Sequence, residues 1–179
     1  MASKVNDYLH RNQCNIRHMT TSLVDSPVEL DPLSSALKSL GITFASSKKH
    51  TASMMRHIFS NCISLEELSL TNSFRGENLV DDVITRCVQS LPAPPRLMRL
   101  KELNIQGFDV KDLWPALAKR VDVMELARVS INFCEESADS FFQQLGGSLR
   151  NLQHIYADVD DISCLRDFFV NPSISPVYT

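Results

Sequence analysis

Residues 62–72, "CISLEELSLTN", place leucines at 65, 68 and 70, spaced three and then two apart. A helix needs the next apolar residue three or four positions on, whereas a lone strand alternates from its first residue. The mixed spacing predicts a turn that leads directly into a short strand. The same Leu-x-x-Leu-x-Leu pattern, with aliphatic replacements, recurs as "LKSLGI" from Leu37, "LKELNI" from Leu100, "LARVSI" from Leu126 and "LQHIYA" from Leu152. Its first positions, 37, 65, 100, 126 and 152, are separated by 28, 35, 26 and 26 residues. The longer interval contains "LPAPPRLMR" (91–99), whose three prolines predict a loop inserted before the next strand.

Each interval also holds a helical pattern. "HTASMMRHIFSNC" places Met54, Met55, Ile58 and Phe59 on one face, and "ENLVDDVITRCVQSL" does so with Leu79, Val83, Ile84, Cys87 and Leu91. "ESADSFFQQLGGSL" aligns Ala138, Phe141, Phe142 and Leu145 before stopping at Gly146-Gly147. In "DVKDLWPALAKRV", Pro115 is expected to kink the helix or start a new one. A degenerate first unit begins at "NIRHMTTSLV" (15–24), with "DPLSSALKSL" as its helix and Pro32 in the first turn. Neither a strand nor a helix of such a unit can bury its apolar side alone. Stacking therefore predicts a parallel sheet over 40–43, 67–71, 102–106, 128–132 and 154–158, with the helices as an outer layer.

A period of roughly 20–29 residues with this signature resembles the leucine-rich repeat. "NCISLEELSLTNS" is similar to units of the cysteine-containing and ribonuclease-inhibitor-like subfamilies, as found in F-box proteins with leucine-rich repeats, and the likeness covers about 37 to 170. The resemblance implies an α/β solenoid of right-handed strand–helix units, with the parallel sheet on its concave face. In outline, 1–14 would be a weak cap or disordered, 15–170 a solenoid of about six units, and 171–179 a flexible tail. The resemblance also implies a protein–protein interaction module, such as the substrate-recognition part of an F-box-type ubiquitin ligase receptor. The alternative is a non-catalytic enzyme regulator, a GTPase activator or nuclease inhibitor, with Arg75 in "NSFRGEN" as the candidate activating arginine. No segment upstream of the repeats resembles an F-box, so a ligase adaptor would be reached only through a longer parent chain. The ninth motif position, usually Asn or Cys, is Ala45, Ser73, Phe108, Cys134 and Asp160, and only Cys134 conforms.

The residues between the inward leucines form three columns on the opposite face. The first is Ser39, Glu67, Glu102, Arg128 and His154. The second is Gly41, Ser69, Asn104, Ser130 and Tyr156, and the third is Thr43, Thr71, Gln106, Asn132 and Asp158. Glu102 and Arg128 are expected to pair across strands. Partner binding is assigned to Glu67, Glu102, Asn104, Arg128, Ser130, His154, Tyr156 and Asp158, centred on the last two units, where Tyr156 supplies the aromatic anchor. Phe133 would add an apolar rim, while Phe108 fills an inward ninth position.

Other chemistry finds little support. Glu67 beside Glu102 has the form of an acid/base pair, but no nucleophile or substrate pocket accompanies it. "DVDDIS" (158–163) lacks the glycine turn and terminal glutamate of a calcium loop, and His50 and His57 have no third ligand at metal spacing. "SKKH" (47–50) reads as a solvated turn. Neither cofactor nor catalysis is expected. A net charge of −3 gives no electrostatic case for nucleic acid, and no apolar run reaches the roughly 18 residues that would span a membrane. Five widely spaced cysteines without a Cys-x-x-Cys pair suit a reducing, intracellular compartment, cytoplasmic or nuclear.

Overall fold

The structure is a computed structural model, and it describes residues 17–23, 36–44, 48–73, 79–92, 97–132, 141 and 151–157. Among the described residues six strands form one sheet: β1 (His18–Leu23), β2 (Ser39–Phe44), β3 (Glu67–Asn72), β4 (Glu102–Gln106), β5 (Arg128–Asn132) and β6 (His154–Ala157). They lie in sequence order, and every neighbouring pair is parallel. Among the described residues three helices have both ends defined, α1 (Lys48–Asn61), α2 (Leu79–Ser90) and α3 (Val110–Ala118), with a 3-10 turn at Val123–Glu125. The protein is thus α/β, with a six-stranded parallel sheet.

The opening leucines take the places their spacing demands. Leu65 is buried in the turn, and Leu68 and Leu70 are buried from β3, as are Leu40 and Ile42 in β2, Leu103 and Ile105 in β4, and Val129 and Ile131 in β5. Met55, Ile58, Ile84, Val88, Leu113 and Leu117 meet them from the helices in one continuous core. Phe108 is buried, with its ring edge-on to Phe44 at 5.9 Å. Trp114 meets Phe141 edge-on at 5.0 Å, which ties α3 to the unit that follows it.

The strand starts are joined by a repeated hydrogen-bond device. The carbonyl of Arg17 accepts from the amides of Lys38 and Ser39, and that of Lys38 accepts from Glu66 and Glu67. Glu66, Lys101 and Ala127 continue the series toward Lys101/Glu102, Ala127/Arg128 and Gln153/His154. One carbonyl thus takes two donors at each of the five junctions, which satisfies the backbone where the chain turns into a strand and fixes the register.

Three expectations require correction. The helix expected over 31–40 cannot extend to its proposed end, because Ala36 to Lys38 are irregular and Ser39 already pairs with His18 in the sheet. Lys48–His50 form the first turn of α1 rather than a solvated turn; lysine is a good helix former, and the buried face of α1 begins soon after, at Thr51. Pro115 does not begin a new helix, since α3 runs through it from Val110 to Ala118. Burial of Val110, Leu113, Trp114, Ala116 and Leu117 holds this short helix despite the missing donor, and Asp109 caps its start by accepting from the Lys111 amide at 2.9 Å. The proline-rich insertion ends in an unforeseen contact: Met98 bridges to Val121 in parallel, with the Met98 amide donating to the Arg120 carbonyl at 2.8 Å.

Of the other expected elements, Phe141 alone represents the helix of 136–149 among the described residues. The terminal segments 1–14 and 171–179 lie outside them.

Candidate functional site

The register places the columns side by side. Ser39, Glu67, Glu102, Arg128 and His154 are successive partners across β2 to β6, and so are Gly41, Ser69, Asn104, Ser130 and Tyr156. Thr43, Thr71, Gln106 and Asn132 form the third row. β1 adds His18 beside Ser39 and Thr20 beside Gly41. All of these residues are half-buried or exposed, so one side of the sheet is polar and the other packs on the helices. Asp158, Phe133, Cys134 and Arg75 lie outside the described residues.

Two side-chain contacts organise this face. Arg128 Nη2 binds the Glu102 carboxylate from the adjacent strand, as the column order requires. Asn104 Nδ2 donates to Ser69 Oγ at 3.1 Å, while its Oδ1 is sealed from solvent without a donor. Toward β6 the face becomes aromatic. The rings of His154 and Tyr156 stack, with centroids 6.3 Å apart and planes 18° from parallel, and Tyr156 remains 60% exposed. An exposed aromatic pair beside an arginine offers a flat surface with a polar rim, suited to desolvation by a partner.

No pocket near Glu67 is expected from the residue pattern, yet the face holds one. A hollow of about 280 Å³ lies over β1 to β4, lined by residues that include Thr20, Gly41, Glu67, Ser69, Glu102 and Asn104. Its signal was a glycine in an outward column, which removes a side chain between Thr20 and Ser69.

A second row of charges follows the strand starts. Glu66 binds Lys38 at 2.7 Å and Lys101 at 2.6 Å, and Arg99 binds Glu125 at 2.8 Å. Hydrogen bonds from Lys101 and then Lys38 hold the Glu66 carboxyl at about 2, well below its ordinary value of 4.5. Glu125 in turn raises the Arg99 guanidinium above its ordinary value. Burial pushes the Cys87 thiol up, and its Sγ lies 3.1 Å from the Ala52 carbonyl, an arrangement of packing rather than of nucleophilic activation. Among the described residues, no three His, Cys, Asp or Glu side chains gather as a metal site, and no helix is long and apolar enough to cross a membrane.

No protein-family model, no curated protein and no solved structure matches this chain.

Proposed function

We propose that the chain is a leucine-rich-repeat solenoid that recognises a protein partner through the polar face of its sheet. The repeat reading is supported by five in-register motif strands and by the two-donor carbonyl that recurs at each junction. The recognition reading is carried by one observation: Tyr156, stacked on His154 and flanked across the strand by Ser130 and then by Arg128, stands 60% exposed on an otherwise polar face. Hot spots favour tyrosine and arginine, and the stacked, exposed pair offers aromatic area that a partner can cover.

The test is affinity purification of the tagged chain from its source cell, identification of bound proteins by mass spectrometry, and repetition with the Tyr156→Ala/Arg128→Ala double variant. Loss of the recovered partner by a folded variant supports the placement. Unchanged recovery removes it. Recovery of a cullin-type ligase adaptor assigns a substrate-receptor role within a longer chain, and recovery of a GTPase or nuclease assigns the regulatory one.

A further inference from the structure

Gly41 sits in the middle row of β2, between Thr20 of β1 and Ser69 of β3. Its missing side chain opens the hollow of about 280 Å³ on the polar face. The hollow lies at the low end of the roughly 300–1,000 Å³ of small-molecule pockets and is open along the sheet face rather than enclosed. A depression of this size on an open sheet suits one side chain of a larger partner.

Charge decides which side chain. The lining contains the two carboxylates of Glu67 and Glu102 and no lysine, arginine or histidine. Glu102 is held by Arg128, which reaches it from β5. Glu67 is the register partner of Glu102 on the other side, with Ser39 and then His18 beyond it in the row, and among the described residues no cation or donor meets its carboxylate. Two carboxylates at register-paired positions on one face repel by the same Coulomb term that makes like charges opposite each other unfavourable in antiparallel pairs. A local rule broken beside a hollow is the pattern expected where a ligand supplies the missing group.

We propose that the hollow seats an arginine side chain of a partner polypeptide, with Glu67 as its counter-ion. A guanidinium placed there repeats, one strand over, what Arg128 does for Glu102. The planar fork can bind a carboxylate through two parallel N–H donors and spend its others on neighbouring hydroxyls, here Thr20 and Ser69. An ammonium has no such fork and is more strongly hydrated. The inference rests on the recognition reading above and adds a second anchor to it, over β1 to β4 rather than on β6.

The experiment is an amide NMR titration of the full chain with butylguanidinium chloride at constant ionic strength, with neutral butylurea and with butylammonium chloride as parallel arms. Saturable shifts at Gly41, Thr43, Ser69 and Asn104 with butylguanidinium are expected, with at least threefold weaker binding of the other two probes. Glu67→Gln, which keeps shape and removes charge, should weaken butylguanidinium at least threefold. Gly41→Ala should do the same by narrowing the hollow beside Thr20, and the NMR fingerprint reports whether each variant is folded. Non-saturable shifts, an equal response to butylurea or butylammonium, or an unchanged Glu67→Gln titration would overturn the proposal. Because no partner enters this measurement, its failure is separate from that of the Tyr156 placement: partner capture can be lost in the Tyr156→Ala/Arg128→Ala variant while the hollow proves inert, or the reverse.

Discussion

Arg120 Nη2 donates to the carbonyl oxygen of Val88 at 3.3 Å, across the gap between the end of α3 and the end of α2. The same guanidinium donates to the carbonyls of Leu91 and Pro92, and the residue is buried. Val88 lies in the last turn of α2, where carbonyls lack an intrahelical donor and the backbone carries partial negative charge, and Leu91 and Pro92 follow directly after that helix. Three backbone carbonyls around its guanidinium allow this arginine to be buried with no carboxylate partner among the described residues. Arg120→Met, which retains most of the stem, is expected to cost roughly 1–3 kcal/mol in urea unfolding. A loss below about 0.5 kcal/mol, the range of ordinary surface changes, would mean that solvent serves the α2 carbonyls equally well.

The strands were legible from residue spacing because a buried face forces alternation, and one slip would turn every side chain over. The Glu102–Arg128 contact was equally readable, since the columns follow once the register is known. Arg120 was not readable. Its acceptors are backbone carbonyls 28 to 32 residues away, brought near by an insertion that carries no sequence periodicity. The hollow escaped for a different reason: a glycine in an outward column reads as a weak strand residue until its neighbours on both sides are placed. The Lys38–Glu66–Lys101 row lies one position before the strands, where the motif imposes no residue type.

Inside and outside can be separated by two substitutions at adjacent positions. Leu68 is 1% exposed, whereas Glu67 is half-buried on the polar face. Leu68→Ala should cost roughly 2–5 kcal/mol as a buried large-to-small change. Glu67→Ala should stay within about 0.5 kcal/mol. Equal losses in a denaturant titration would sink the assignment of faces.

Gly107 follows β4 with φ of 72°, in the left-handed region. A Cβ there would approach the backbone oxygen of Asn72 to 2.6 Å, so that a neighbouring strand end rather than a movable side chain blocks it. Gly107→Ala should therefore lose at least about 1 kcal/mol from the backbone conformation alone. Gly41→Ala is the control: its Cβ would meet only the Thr20 side chain, at 3.2 Å and beyond, which can turn aside. A Gly107→Ala protein with an unaltered thermal midpoint would show that this turn can relax.

Glu66 links the strand starts of β2, β3 and β4 through its two lysines, and it makes stability depend on acid. Its folded value, about 2, lies below the ordinary 4.5 because the hydrogen bonds from Lys101 and Lys38 favour the ionised carboxylate. A depressed carboxyl contributes stability that is present above its unfolded value and is lost as the pH falls through the folded one. The contribution is accordingly full above about 4.5 and fades between there and about 2. Both lysines are substantially exposed, so salt should shrink the effect. Glu66→Gln removes the titrating group and keeps the side-chain shape. Wild-type protein and variant should therefore differ most in urea midpoint at neutral pH and low salt, and converge as the pH is lowered toward 2. A difference that persists unchanged into acid would assign the role of Glu66 to packing rather than to charge.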